Sequence, residues 1–326
     1  MSSVSVPSND TYIAGENLEF TVNTSENVTV DTTNGTPSIA ITVGSSTKNA
    51  TYVSGSGSSA LTFRYTVESG LVDSDGISVG ALSTNSGTLK DTAGNDLTLT
   101  LNSVGATSNV LVDSIVPSVS AFNTSSLTLK SGETSQITIV LSESSSDFTI
   151  QDIAATNGNL SDFSGSGSSY SATFTPSSDI EGSALLNVNA GAFTDAAGNS
   201  NSASNQLSIT IDTKAPSGQS VSIDQSVINK SNESALSFSL SGLESSGSFT
   251  YSITDGVSTV SSQSSTNITA STASLDNLDV TNLNEGTLTL SVTVTDSAGN
   301  SAQAITDTVT KSITLPLCYR VLPLHR

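Results

Sequence analysis

Three copies of one short phrase place carboxylate and amide oxygens at regular points along the chain. Asp-x-Ala-Gly-Asn occurs at 91–95, 195–199 and 296–300. Such oxygens are the ligands that Ca²⁺ prefers, and the glycine permits a sharp turn that aims a backbone carbonyl at the same ion. Asp and Asn also form turns by hydrogen bonding to their own backbone. The phrase by itself therefore favours a plain turn, and a metal site needs further ligands.

The spacing of the copies predicts the domain organisation. They lie roughly one hundred residues apart, the length of a small domain. An aspartate followed four residues later by a proline recurs at a similar interval, as Asp113 with Pro117 and Asp212 with Pro216. These segments are interpreted as joints, which the proline ring stiffens. We predict tandem domains at 1–114, 115–213 and 214–314, the first truncated at its N-terminus because Met1 cuts into its first strand.

The elements that position these residues are predicted to be strands. Apolar and polar residues alternate in seven runs, as expected of strands with one face on a core: 18–22, 61–67, 97–101, 137–141, 207–211, 236–240 and 288–294. No amphipathic helix is evident. The predicted fold class is all-β, with three tandem immunoglobulin-like β-sandwich domains in an extended array. The antibody type is excluded because the chain has no tryptophan and a single cysteine.

A sandwich of this kind brings the phrase close to the joint. The phrase lies between the last two strands of each domain, and the loop after the second strand reaches the same end, where Glu26, Glu143 and Glu244 stand in the three domains. We therefore expect two groups to converge, one at each joint: Asp113, Glu143, Asp195 and Asn199, and Asp212, Glu244, Asp296 and Asn300. Clustered carboxylates repel one another unless a cation lies among them, and Ca²⁺ suits such a group.

Composition narrows the function classes. The net charge is −20, with nine basic residues against 29 acidic ones, which argues against nucleic acid as a partner and favours cations. The one histidine, His325, lies in the last twelve residues, so Ser-His catalysis and histidine metal sites are not expected, and no enzyme is predicted. No apolar run is long enough to span a membrane, and no signal peptide is visible at the start.

The last twelve residues differ in composition from the rest. Residues 315–326 contain the only cysteine, the only histidine and two of the nine basic residues. Pro316 stands where a third joint aspartate is expected. We interpret this segment as a non-native end, the alternative being a genuine C-terminal tail.

The chain resembles a known family over almost its whole length, up to Thr314. The phrases that carry the resemblance are "AGENLEFTVNTSENVTVDTTNGTPSIAITVG", "FTDAAGNSNSASNQLSITIDTKAP" and "VTVTDSAGNSA". They are similar to the bacterial immunoglobulin-like repeats of giant surface adhesins and biofilm-associated proteins. The match is specific in the first two domains and looser in the third.

The resemblance implies a spacer segment in an extracellular stalk at the bacterial cell surface, whose partners are neighbouring repeats and whose ligand-binding tip lies elsewhere. It also implies Ca²⁺ at some junctions, with ligands at Asp113, Asp195, Asn199, Asp212, Asp296 and Asn300. Asp91 and Asn95 lack an upstream joint aspartate to complete their site.

Two alternatives remain open at the level of sequence. A carbohydrate-binding accessory module of a secreted protein would usually expose aromatic residues to sugars, and aromatic residues make up only 5% of this chain. An immunoglobulin-like domain of a phage or viral fibre is not separated from a bacterial stalk by the sequence.

Overall fold

The computed structural model describes residues 3–262 and 265–314. In this part of the chain the regular structure is β-strand, apart from one 3-10 turn, and the predicted all-β sandwich class is confirmed. No described helix has the length and apolar character needed to cross a membrane. The predicted non-native tail, 315–326, lies outside the described residues.

The first domain contains ten strands. They are β1 Ser3–Ser5, β2 Asp10–Tyr12, β3 Asn17–Asp31, β4 Ser38–Val43, β5 Ser46–Ser54, β6 Ser58–Thr66, β7 Val72–Asp73, β8 Ser78–Ser83, β9 Thr88–Asp91 and β10 Val110–Asp113. One sheet has the order β1-β3-β6-β5-β4-β8, with β9 also paired to β3, and a small sheet has the order β2-β10-β7.

The second domain contains seven strands and the 3-10 turn. The strands are β11 Val119–Thr124, β12 Thr128–Lys130, β13 Ser135–Ser145, β14 Ile153–Ala155, β15 Gly158–Pro176, β16 Glu181–Val188 and β17 Leu207–Asp212, and the turn is Ile150–Asp152. The sheet orders are β11-β13-β15 and β12-β17-β16-β14.

The third domain contains eight strands. They are β18 Ser220–Ile223, β19 Leu236–Ser241, β20 Ser248–Thr254, β21 Thr259–Ser261, β22 Thr266–Asn267, β23 Thr272–Leu278, β24 Gly286–Thr295 and β25 Ile305–Lys311. The sheet orders are β18-β19-β23 and β21-β20-β24-β25, with β22 also paired to β20.

The first two domains share one strand arrangement at their edges. The opening segment of each pairs first antiparallel with one sheet, β1 on β3 and β11 on β13. It then crosses and pairs parallel with the last strand, β2 on β10 and β12 on β17. Both sheets of each domain are therefore tied together by the same stretch of chain, and the last strand ends at the joint aspartate.

The buried apolar side chains form three separate clusters, one along each third of the chain. Alternation produces them: along β3, Leu18, Phe20 and Val22 are buried while Glu19 points to solvent. Each such side chain contributes about 1.5–3 kcal/mol when fully buried. Three cores are what three independent domains require, and the limits 1–114, 115–213 and 214–314 stay a prediction.

One predicted strand is wrong. Residues 97–101 alternate as a strand should, but beyond a bridge at Asp96 they form no strand. The last strand of the domain is β10 instead, where Val110 and Val112 are buried. β10 is the central strand of the small sheet, paired with β2 on one side and β7 on the other, so residues 97–101 have no position there.

The register of the last strand places the third joint position differently from the sequence prediction. In the second domain Gly182 pairs with Ile211 and Glu181 with Asp212. In the third domain Gly286 pairs with Lys311. Lys311 is therefore the counterpart of Ile211, and Ser312, which follows it, is the counterpart of the joint aspartate. The residue named from the sequence, Pro316, lies outside the described residues.

Candidate metal centre at the domain joint

The repeated phrase folds into the same turn in all three domains. In the second, Oδ1 of Asp195 accepts hydrogen bonds from the backbone N–H groups of Ala197 (2.9 Å) and Asn199 (2.8 Å), and Oδ2 accepts one from the Asn199 amide (2.8 Å). The other two copies keep the aspartate–asparagine bonds. Gly198 has a φ of +95°, which glycine adopts without strain. This turn is local, so the phrase forms it with or without a metal.

The joint distinguishes the second and third copies from the first. The Asn199 amide also donates to the backbone carbonyl of Asp113 (2.9 Å), and the Asn300 amide donates to that of Asp212 (2.9 Å). Both asparagines are buried, whereas Asn95 is exposed. The second and third copies of the phrase therefore contact the joint residue that precedes their domain.

Three carboxylates converge at the first joint. One oxygen each from Asp113, Glu143 and Asp195 lies within 4.8 Å of the others. They come from three elements: the end of β10, the end of β13 and the phrase. Glu143 belongs to β13 and not to a loop, and it reaches the joint because β13 is irregular after Val140. Among the described residues, no lysine or arginine forms an ion pair with any of the three.

The negatively charged form of Glu143 is electrostatically unfavourable in this group. Burial raises the pKa of Glu143, and the negative charges of Asp195 and Asp113 raise it further. Like charges about 4 Å apart repel by about 1 kcal/mol in water and by more at a partly buried site. A cation among the three oxygens would reverse this repulsion. Glu143 has no hydrogen-bonding partner among the described residues, so both of its oxygens are available.

The second joint contains the predicted residues in a looser arrangement. Asp212, Glu244 and Asp296 line a single cavity together with Glu181 and Lys214. They do not form a group within 4.8 Å in the part of the chain that the structure describes. Asn300 bridges the joint instead: its amide donates to Asp212 and Asp296, and its Oδ1 accepts the backbone N–H of Ser131 (2.9 Å).

The remaining predicted positions are separate from both joints. Asp91 and Asn95 bond to each other at the exposed end of the first domain, and the hydrogen bonds from Asn95 lower the pKa of Asp91. Glu26 is exposed within β3. Among the described residues, neither Glu26 nor Asp91 belongs to a group of three or more possible metal ligands.

Sequence reasoning missed the hydroxyl residue that follows each joint aspartate. Oγ of Ser114 donates toward the carbonyls of Glu68 and Leu71, and Oγ1 of Thr213 donates toward those of Ser177 and Ile180. These bonds fix the chain as it leaves each domain. The signal was present in the sequence as a hydroxyl residue after each joint aspartate.

The joint at Asp113 is also where a family match begins. Residues 113–211 match the family described as bacterial Ig-like domain. This segment is a bacterial Ig-like domain. No curated protein matches the chain significantly.

Several solved structures are similar to this chain. A tetra-tandem repeat from the extending region of a large adhesion protein is 19% identical, with 94% of this chain and 73% of that one covered and a TM-score of 0.29. A 1.5-MDa bacterial ice-binding adhesin is 15% identical, with 96% and 98% covered and a TM-score of 0.37. The Yersinia pseudotuberculosis adhesin InvE is 14% identical, with 59% and 58% covered and a TM-score of 0.23.

Proposed function

We propose that this chain is a spacer segment of a bacterial cell-surface adhesin and that Ca²⁺ stiffens its first joint. The observation that carries the proposal is the convergence of Asp113, Glu143 and Asp195 from consecutive domains. A cation held by all three would tie the end of one domain to the next. The predicted localisation, outside the cell at its surface, and the adhesive role belong to the same proposal.

The donor set suits calcium better than other common metals. It consists of carboxylate oxygens, with no histidine or cysteine among the three. Ca²⁺ takes six to eight oxygens in flexible geometry, whereas Mg²⁺ demands a near-ideal octahedron. Oδ1 of Asp195 accepts two backbone hydrogen bonds and Oδ2 accepts one, from the Asn199 amide, so Oδ2 is the better ligand atom. Glu143 and Asp113 would supply the remaining protein oxygens, and water would complete the shell.

The stalk role follows from what the described residues offer. Each domain has its own apolar core, so it does not depend on its neighbour for folding. The joints are short and are closed by hydrogen bonds between domains. Separate cores joined in this way suit length and stiffness. A carbohydrate-binding module remains the second candidate, although the aromatic pairs that the structure contains lie largely within the cores.

Small-angle scattering with and without calcium tests the proposal. A compact globule of this length has a radius of gyration of about 20 Å, and three sandwiches end to end give about 35 Å. We expect the larger value with Ca²⁺ and a more flexible particle after chelation, with unchanged far-ultraviolet circular dichroism. A value near 20 Å would refute the stalk role. Identical melting and scattering in calcium and in chelator would refute the calcium role.

A further inference from the structure

The second joint carries two lysines where the first joint carries apolar residues. Lys214 lines the cavity formed by Glu181, Asp212, Glu244 and Asp296. Lys130 lies on the other side of the joint, where its Nζ is 2.9 Å from the point at which a β-carbon on Gly299 would stand. Asp212 and Lys130 line a shared second cavity. Both lysines therefore lie near the joint aspartate; among the described residues neither forms an ion pair with a carboxylate of the joint, and Lys214 is exposed.

The two joints are otherwise matched at these positions. The backbone N–H of Lys214 donates to Oδ1 of Asp212 at 3.2 Å, as that of Ile115 donates to Oδ1 of Asp113 at 3.2 Å. The backbone N–H of Lys130 donates to Glu133 (3.1 Å), as that of Ile13 donates to Glu16 (2.9 Å). Lys214 thus replaces Ile115, and Lys130 replaces Ile13, within the same local backbone structure.

We infer that the positive charges of Lys214 and Lys130 make the second joint a poorer site for a divalent ion than the first, where isoleucines stand at the same two positions. This inference rests on the proposed calcium role of the first joint.

The charges explain the difference between the joints. An ammonium group tethered near these carboxylates makes the electrostatic potential of the joint less negative at every calcium concentration, and it repels a divalent cation that enters the same space. Unlike those of the first joint, the carboxylates of the second form no group within 4.8 Å among the described residues. Asn300 adds a metal-independent bridge through its bonds to Asp212 and Ser131. The second joint should therefore stay closed in chelator, while the first one loosens.

Calcium titration calorimetry on the full chain and four variants tests the inference. The wild type should bind one ion, and Asp113→Asn should weaken that ion at least tenfold. Lys214→Ile combined with Lys130→Ile should add a second ion, since it gives the second joint the residues of the first. The reciprocal change Ile115→Lys should weaken the first ion at least tenfold. Lys230→Ile, an exposed lysine away from the joints, is the matched control and should bind as the wild type does.

The outcomes separate the two proposals. Two equivalent ions in the wild type would overturn the inference and leave the calcium role intact. One ion in both the wild type and the double lysine variant would overturn it as well. No ion in the wild type or in any variant would refute the calcium role itself, and the inference would fail with it. Scattering in chelator is the second readout: the double lysine variant should be more flexible than the wild type there.

Discussion

A lysine buried in the third domain gives a sharp test of how this fold tolerates charge. The side chain of Lys311 is 0% exposed, in the core position that Ile211 occupies in the second domain. Its Nζ donates to the carbonyls of Val280 (2.7 Å), Leu283 (2.8 Å) and Thr281 (3.2 Å). Glu233 completes the surroundings, with its carboxylate 3.1 Å from the ammonium.

The substitution Lys311→Met keeps most of the side-chain volume and removes the charge. Three carbonyls lose a charged donor, and Glu233 loses one of its two cations. Breaking a buried ion pair from one side costs about 3–5 kcal/mol. We expect the lower end, about 3 kcal/mol, because Lys230 still pairs with Glu233 at 2.6 Å. For a domain of about 100 residues this lowers the melting temperature by about 12 °C or more.

Differential scanning calorimetry is the assay, because the transition of the third domain can be followed within the three-domain chain. Lys230→Met is the matched control: its side chain is 79% exposed, and its pair with Glu233 is worth about 1 kcal/mol at most. Replacing both Lys311 and Glu233 by Met removes the charges together; this should recover the part of the loss that comes from the unpaired carboxylate, while the part that comes from the three carbonyls remains. A Lys311→Met chain that melts within two or three degrees of the wild type would refute the argument that the ammonium satisfies this part of the core.

The remaining predictions concern the joints and the acid range. Asp113→Asn should abolish most of the calcium-dependent rise in melting temperature, which corresponds to about 2.7 kcal/mol at one hundred times the dissociation constant; Asp91→Asn should leave it unchanged, and equal losses in calorimetry would place the site within single domains. Asn199→Ala should cost about 1–3 kcal/mol of stability in chelator, because its buried hydrogen bond to the carbonyl of Asp113 is lost. Asn95→Ala should cost less, because Asn95 is exposed. Equal costs would show that the hydrogen bond across the joint contributes nothing. Backbone hydrogen bonds from Asn284, Ser258 and Val257 lower the pKa of Asp255 to about 2. Its stabilising contribution is therefore complete above about pH 4, the pKa in the unfolded chain, and is lost as the pH falls toward 2. Asp255→Asn should flatten that part of the curve of unfolding free energy against pH. An unchanged curve would count against the lowered pKa of Asp255.

The amino-acid sequence determined the features that depend on near neighbours. Six of the seven alternating runs lie within or largely within strands, because alternation buries one face wherever a sheet accepts the segment. The repeated phrase forms a turn wherever it occurs, because its aspartate bonds to backbone only two to four residues away. The copy at 91–95 has this geometry as well. The interval of about one hundred residues between the copies of the phrase indicated tandem domains, and the alternating runs indicated an all-β fold.

Only the tertiary structure decided which residues meet. Residues 97–101 alternate as well as β10 does, but the sheet has a single place for a last strand, and β10 occupies it. Glu143 lies near the end of β13 and Glu244 follows β19, the equivalent strand, yet Glu143 alone joins two other carboxylates within 4.8 Å among the described residues. Lys311 reads as a surface residue in sequence, and it is buried because the register of β25 assigns it a core position. In each case the deciding contacts join residues from separate elements, and their distances depend on packing and register, which the order of residues along the chain does not fix locally.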